Sequence, residues 1–222
     1  MAQAISGDTM AARRQHMVDG QLRSCDVTDQ LVLAAFARIA REKFVAAAYV
    51  SLAYVDREVP ALGAGDRLLL APMVLAKLIQ AANVRPGEKA LDVAGGSGYS
   101  AAILSDLGAQ IVTLESDEGA AAAAKTLLAG EASVQFAAGA LTAAAPGGPF
   151  DVILVNGAFE RSPDELLDQL AEGGRLVGVD ASFGAPKAVL VERMGGAASR
   201  RILFDATASR LHAFSQSPSF AF

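Results

Sequence analysis

The stretch LDVAGGSGY, residues 91–99, decides the fold of this chain. The mostly apolar residues Lys89–Val93 predict a short buried strand, and residues 99–107 predict a helix that Gly108 ends. A strand that passes through a glycine loop into a helix points backbone N–H groups at a ligand near the helix N-terminus. Glycine is needed in such a loop because a side chain would block the close approach of the ligand. The stretch therefore predicts a small-molecule site at the end of a strand.

The same order of strand and helix continues on both sides of this loop. A helix is expected from Pro72 to the residue before Asn83, and others at residues 117–128 and 163–170. Strands are expected at residues 89–93, 110–114, 133–137, 151–155 and 175–179. This alternation predicts an α/β fold with a central, mostly parallel sheet flanked by helices. Residues 188–193 and 200–204, joined through two glycines, are expected to close the sheet as an antiparallel pair.

Residues 1–60 predict a helical extension at the N-terminus. One amphipathic helix is expected over residues 11–22, and a second begins with Thr28 as the expected N-cap. We expect one domain over residues 1–222, with the extension at 1–60, a cofactor-binding core at 72–180, and closing strands and a tail at 187–222. In that tail Phe214, Phe220 and Phe222 are expected to pack on the sheet.

Composition excludes several classes of function. The chain has 19 basic and 24 acidic residues, a net charge of −5, which disfavours binding to nucleic acid. Its apolar runs are too short to span a membrane, and its N-terminus lacks the apolar region of a signal peptide. Cys25 is the single cysteine, and His16 and His212 are the two histidines, so neither a disulfide nor a histidine-rich metal site is expected. These features predict a cytoplasmic protein without a metal.

Two acidic residues accompany the glycine loop and indicate the kind of ligand. Glu115 ends the next predicted strand, where a carboxylate can accept hydrogen bonds from ribose hydroxyls. Gly96-x-Gly98-x-x-Ala101 matches the fingerprint of dinucleotide-binding proteins, so an NAD(P)-dependent oxidoreductase is one alternative. Asp92, however, lies at the carboxyl end of its strand, where an acid suits a cationic amino-acid group. The three features together favour S-adenosylmethionine over NAD.

Motifs along much of the chain resemble the protein-L-isoaspartate O-methyltransferase family. They include Met17-Val18-x-x-Gln21-Leu22, Arg41-Glu42-x-Phe44-Val45, Ala53-Tyr54-x-Asp56, Ala71-Pro72, Gly96-Ser97-Gly98-Tyr99 and Phe150-Asp151-x-Ile153-x-Val155. The resemblance implies a Rossmann-like class I methyltransferase fold. It also implies S-adenosylmethionine-dependent methylation of isoaspartyl carboxylates in damaged proteins. The residues it assigns to cofactor binding are Asp92 for the amino group, Gly95, Gly96, Ser97 and Gly98 for the loop contacts, and Glu115 for the ribose.

The chain departs from the family at positions that matter for function. Leu70 stands where the family has a serine that contacts the substrate carboxylate, and Ala94 replaces the first loop glycine. Ala140 and Leu141 stand where the family's Gly-Asp-Gly brings an aspartate to the adenine. Ala94 is tolerated where its φ is negative. A leucine-lined pocket removes water from a carboxylate without offering a donor, so weak activity on isoaspartyl substrates is expected.

Two alternatives follow from these departures. The chain is either a weak repair enzyme or a cofactor-binding member of the family with a lost or changed acceptor. Tyr54 and Asp56 either line the substrate cleft or form a structural turn before Pro60.

Overall fold

A central sheet dominates the computed structural model, which describes residues 7–182 and 184–216. In these residues the sheet has seven strands: β3 (Lys89–Val93), β4 (Gln110–Glu115), β5 (Val134–Ala138), β6 (Phe150–Phe159), β7 (Leu170–Asp180), β8 (Lys187–Met194) and β9 (Ala197–Asp205). They pair in the order β5-β4-β3-β6-β7-β8-β9. Neighbours from β5 to β7 are parallel, whereas β8 and β9 add antiparallel pairs at one edge. The expected mostly parallel sheet and the closing antiparallel pair are confirmed.

Six α-helices in the described residues accompany the sheet: α1 (Gly7–Met17), α2 (Gln30–Arg38), α3 (Pro72–Ala82), α4 (Tyr99–Asp106), α5 (Glu118–Leu127) and α6 (Asp164–Leu167). Pro72 occupies the first turn of α3, and Asn83 ends that helix with φ +48°. The helix expected at residues 163–170 is shorter than the sequence indicates. Its last residue, Leu170, instead pairs with Phe150 and begins β7.

Over residues 7–60 the N-terminal extension is mostly helical, as expected, but its details differ. From α1 the chain continues through a π-helical turn, Val18–Leu22, and a 3₁₀ turn, Arg23–Cys25. Thr28 is not the N-cap of α2, because Asp29 Oδ1 accepts hydrogen bonds from Leu31 N (2.8 Å) and Val32 N (3.2 Å). Within residues 7–182 and 184–216, no helix is both long and apolar enough to cross a membrane.

A small hairpin joins the extension to the sheet. β1 (Val59–Pro60) and β2 (Leu68–Leu69) pair antiparallel, and residues 61–67 form the hairpin loop between them. A Cβ built on Gly96 would meet Ala61 Cβ at 3.0 Å and Arg67 Cγ at 3.1 Å. The hairpin loop therefore lies directly on the glycine loop.

The residues after β9 return across the carboxyl end of β6. Arg210 forms a parallel bridge with Ala158, whose N–H donates to the Ser209 carbonyl at 2.8 Å. Phe214 is fully buried in the core on one face of the sheet, which confirms the expected packing. Phe220 and Phe222 lie outside the described residues.

Candidate cofactor site and acceptor cleft

The glycine loop, residues 94–98, and Glu115 meet at one edge of the sheet. Val93 pairs with Leu114 in the parallel register of β3 and β4, so the residues after these strands emerge side by side. Gly96 N–H donates to Glu115 Oε2 at 3.0 Å. The sequence-based pairing of a glycine loop with an acid on the next strand is therefore present in the structure.

Backbone geometry in the loop favours glycine, and Ala94 does not fit that preference. The φ angles of Ala94, Gly96 and Gly98 are +57°, +63° and +93°. Ala94 was expected to be tolerated at a negative φ, but its φ is positive. A residue with a Cβ in the left-handed region costs roughly 1–2 kcal/mol, so the loop carries strain at this position.

The chain's own packing explains two of the glycines. A Cβ on Gly95 would lie 2.1 Å from Asp92 Oδ2, and one on Gly98 would lie 2.8 Å from Leu128 Cδ1. The contact at Gly95 excludes a side chain. At Gly98 the Leu128 side chain would have to move, and the φ of +93° also disfavours any residue other than glycine. Glycine at these positions is thus favoured by the fold, whatever the loop binds.

Asp92 is completely buried beneath the loop. Its Oδ2 accepts from Ser100 Oγ at 2.9 Å, and its Oδ1 accepts from Asn156 Nδ2 at 2.7 Å. Burial raises the pKa of Asp92 to about 6; the negative charge of Glu115 adds to this, while the two hydrogen bonds oppose it. Asp92 therefore joins β3, α4 and β6 below the site. Asn156, which the sequence reasoning missed, is a lone amide after an apolar run.

Glu115 is also buried, with its side chain 3% exposed. Besides Gly96, the N–H groups of Ser116 and Asp117 donate to its Oε1 at 2.8 and 2.9 Å. Arg67 forms an ion pair with it, with Nη2 at 2.9 Å from Oε1 and Nε at 3.1 Å from Oε2. Sequence reasoning missed Arg67, because the segment around it has no motif that points to β4.

The remaining predicted cofactor residues have different surroundings. Ser97 is buried, and its Oγ donates to the Phe44 carbonyl at 2.5 Å, which ties the loop to the N-terminal extension. Ala140 is exposed and Leu141 is buried. Both follow Gly139, whose N–H donates to the Glu115 carbonyl at 3.0 Å. They therefore lie beside Glu115, but neither side chain can bond to an adenine amino group.

An open cavity of about 600 Å³ adjoins this edge of the sheet. Its lining includes Arg67, Ser116, Asp117, Leu141 and His212. The cavity thus begins at the ends of β4 and β5 and reaches the segment that returns after β9. This is enough room for a nucleoside-sized ligand next to Glu115.

Leu70 turns away from this space. Its side chain is 2% exposed and belongs to the core that includes α3, while its carbonyl accepts from Arg41 Nη2 at 2.8 Å. Arg41 is fully buried, and this burial lowers its pKa. The position where the family has a serine therefore serves the core of this protein.

Asp56 and Tyr54 both have structural partners. Asp56 Oδ1 accepts from Met73 N at 2.9 Å and so caps the N-terminus of α3, and Tyr54 Oη donates to Glu42. Burial is the main cause that raises the pKa of Tyr54. Asp56 also lines a second cavity of about 490 Å³, together with Arg57, Glu58, Ala71, Met73 and Asp205. Asp56 thus has the structural role and borders a cleft as well.

Comparison with known proteins identifies the family. The sequence model of the protein-L-isoaspartate(D-aspartate) O-methyltransferase family matches residues 12–193. The chain belongs to this family. It is 43% identical over 164 residues to the protein-L-isoaspartate O-methyltransferase of Gloeobacter violaceus, covering 72% of this chain and 79% of that one. With the enzyme of the same name from Methylorubrum populi it shares 40% over 168 residues, 75% and 78% of the two chains.

Solved structures agree on the fold. A protein-L-isoaspartate O-methyltransferase superposes with a TM-score of 0.80 at 22% identity, over 91% of this chain and 67% of that one. A Plasmodium falciparum structure described as a protein of this kind, in complex with S-adenosyl-L-homocysteine, gives 0.77 at 19%, over 90% and 98%. The Rossmann-like class I methyltransferase fold is confirmed.

The family settles the class of enzyme and its cofactor. The chain is a methyltransferase that depends on S-adenosylmethionine, and this excludes the alternative of a nicotinamide-dependent oxidoreductase. The site fits this cofactor in its glycine loop, its buried carboxylate and the cavity beside them. One group obstructs it: Arg67 takes the Glu115 oxygens that a ribose would use.

Proposed function

We propose that this protein transfers a methyl group from S-adenosylmethionine to the carboxylate of isoaspartyl residues in proteins, and does so slowly. The observation that carries the proposal is the buried Glu115 beside the N–H of Gly96 in a chain that matches the family over residues 12–193. A buried carboxylate next to a glycine loop is suited to a ribose diol.

Each part of the site has a defined role in this proposal. The backbone of Gly95, Gly96 and Gly98 lies against the cofactor, Glu115 accepts the ribose hydroxyls, and Ala140 and Leu141 border the adenine. Asp92 supports the loop from below through Ser100 and Asn156. Ala94 and Ser97 fix the path of the loop.

Little acid–base chemistry is needed for the reaction. The bound cofactor supplies an electrophilic methyl group on a sulfonium, and an ionised carboxylate is already a nucleophile. The protein therefore contributes by positioning the acceptor and excluding water.

The acceptor side explains why we expect slow turnover. Leu70 offers a carboxylate no donor, and the cavity beside Ala71 is lined by Asp56, Glu58 and Asp205, with Arg57 as the cation of this lining and Lys187 paired with Asp205 at 2.5 Å. An anionic isoaspartyl group entering there meets like charges. Loss of one positioning hydrogen bond costs about 2–4 kcal/mol at the transition state, or roughly 30- to 1000-fold in rate.

The same acidic lining favours a second candidate. An acceptor that is neutral or positively charged would enter this cleft without repulsion. The second candidate is therefore a methyltransferase of this family whose acceptor is not a carboxylate.

A cytoplasmic location and the absence of nucleic-acid or membrane partners are also parts of the proposal. They are supported by the single cysteine and the net charge of −5.

One pair of assays tests the proposed function. Calorimetry with S-adenosylhomocysteine measures cofactor binding, and methyl incorporation is compared between an isoaspartyl peptide and the same peptide with normal aspartate. We expect binding, and slow methylation of the isoaspartyl peptide alone. Cofactor binding without methylation of either peptide would contradict the first candidate and favour the second.

A further inference from the structure

Arg67 holds the group on which the cofactor depends. Its side chain is 16% exposed, and its Nε lies 3.2 Å from Glu115 Oε1 and 3.1 Å from Oε2. Nη2 adds a contact of 2.9 Å to Oε1 and one of 3.3 Å to Ser116 Oγ. A fork of donors on a carboxylate that is 3% exposed is a strong, poorly hydrated ion pair.

Independent contacts hold the hairpin loop, residues 61–67, in place. Gly65 N–H donates to Asp117 Oδ2 at 2.9 Å, so the carboxylate that caps α5 also fixes the loop. A Cβ on Gly63 would lie 2.7 Å from the Gly119 carbonyl oxygen, and one on Gly119 would lie 2.0 Å from the Gly63 carbonyl oxygen. The backbones of the loop and of α5 therefore touch at two glycines.

These contacts place the hairpin loop over the two parts of the proposed ribose site, Glu115 and Gly96. Arg67 covers the Glu115 oxygens, and its Cγ comes within 3.1 Å of the Cβ position on Gly96. A diol can bond to Glu115 only if the guanidinium leaves it. The cavity of about 600 Å³ that Arg67 borders gives the released side chain space to move.

We propose that Arg67 is an internal competitor of the cofactor, a residue that sets cofactor affinity by occupying the ribose acceptor. The proposal rests on the proposed function, because it concerns the adenosyl cofactor of that same site. When only a fraction of the protein has Glu115 free, the apparent dissociation constant rises by the inverse of that fraction. If one molecule in ten has Glu115 free, affinity falls about tenfold.

Calorimetric titration with S-adenosylhomocysteine tests this on the full chain. Arg67→Ala frees Glu115 and should tighten binding about tenfold or more. Arg175→Ala is the matched control, because Arg175 forms a comparably buried ion pair with Glu88 at 2.7 Å, with side chains 14% and 17% exposed. That pair lies at the opposite end of the strands, before β3, so its loss should change the affinity less than twofold.

Two further variants keep the result interpretable. Arg67→Lys keeps the charge and should remain close to the wild type. Arg67→Gln keeps one hydrogen bond to Glu115 without the charge, so its affinity should lie between the wild type and Arg67→Ala. Thermal unfolding identifies the folded variants. If Arg67→Ala does not fold, the proposal is tested by Arg67→Gln, which should bind S-adenosylhomocysteine more tightly than the wild type.

The outcomes separate this proposal from the proposed function. Equal binding by the folded Arg67 variants overturns the proposal and shows that Arg67 does not affect cofactor affinity. Weaker binding also overturns it and makes Arg67 a direct cofactor ligand. Absence of binding in the wild type and all folded variants overturns it too. Tighter binding without methylation of an isoaspartyl peptide supports the competitor while removing the proposed acceptor.

Discussion

The cofactor half of the site and its acceptor half differ in how they use side chains. The cofactor half, residues 92–98 with Glu115, depends on backbone groups and carries buried acids with several partners each. The proposed acceptor half, residues 54–72, would meet the substrate carboxylate through the side chain at position 70, as the family resemblance implies. There the side chain is Leu70, which packs into the core. A backbone-built site survives substitution more readily than one that needs a particular donor.

The residues that follow β9 reach both halves. Glu58, next to β1, accepts hydrogen bonds from the N–H and the hydroxyl of Ser209, both at 2.9 Å. Ser209 and His212 also line the cavity beside Glu115. The returning segment is therefore bonded to the acceptor half and borders the cofactor half.

The largest expected effect concerns Leu70→Ser. From sequence alone this change would restore the family's donor and recover activity, but the structure places the side chain in the core. We expect it to lower the free energy of unfolding by about 3–5 kcal/mol, because a buried leucine is lost and a hydroxyl is buried. Urea denaturation measures this. Leu31→Ser is the control, since Leu31 is 66% exposed. A stable Leu70→Ser variant with faster methylation would place position 70 in the cleft.

The next effect uses pH to test Asp92 in the cofactor half. Its pKa is raised to about 6 in the folded protein from 3.8, so the folded state binds the proton more tightly than the unfolded state. Stability from this group is therefore full at low pH and falls as pH rises from about 4 to about 6, by up to about 3 kcal/mol. Asp92→Asn should not show this loss. In chemical denaturation its free energy of unfolding should therefore rise relative to that of the wild type between pH 4 and pH 7.

The same variant sharpens the role of Asp92. If Asp92 acts by supporting the loop, Asp92→Asn should keep its affinity for S-adenosylhomocysteine within a few-fold. A loss of tenfold or more would show that the carboxylate acts on the cofactor's amino group.

A smaller effect is expected at Asp56 in the acceptor half. Asp56→Ala removes the cap on α3 and should cost about 1 kcal/mol of stability, whereas Asp56→Asn should keep most of it. Thermal unfolding of the two variants checks this. Reduced methylation in both, with unchanged stability, would instead make Asp56 part of the acceptor cleft.

The smallest effect is at Ala94. Ala94→Gly relieves roughly 1–2 kcal/mol of left-handed strain but adds freedom to the unfolded chain, so a net gain of about 0.5 kcal/mol is expected. In α5, Ala122→Gly should act in the opposite direction and cost about 1 kcal/mol. Equilibrium denaturation of both variants gives the two signs. Destabilisation by Ala94→Gly would mean that the buried methyl group outweighs the strain.

The sequence by itself determined the order of the elements and the edge at which the ligand site forms. Lys89–Val93 is the strand that the pattern predicts, and Glu115 ends the next one. These features are local, because periodicity and glycine placement act within a few residues. The boundaries of the elements differ from those predicted: Asp29 caps α2 in place of Thr28, and β6 extends to Phe159.

Tertiary structure alone decided which residues share the site. Arg67 and Glu115 are 48 residues apart in sequence, and Asp92 and Asn156 are 64 apart. Leu70, directly after β2, belongs to the core for the same reason: the direction in which a side chain points depends on what packs around its segment. A local sequence pattern can predict that a residue is buried. It does not specify which distant residue lies against it, because contacts between elements depend on how the whole chain packs.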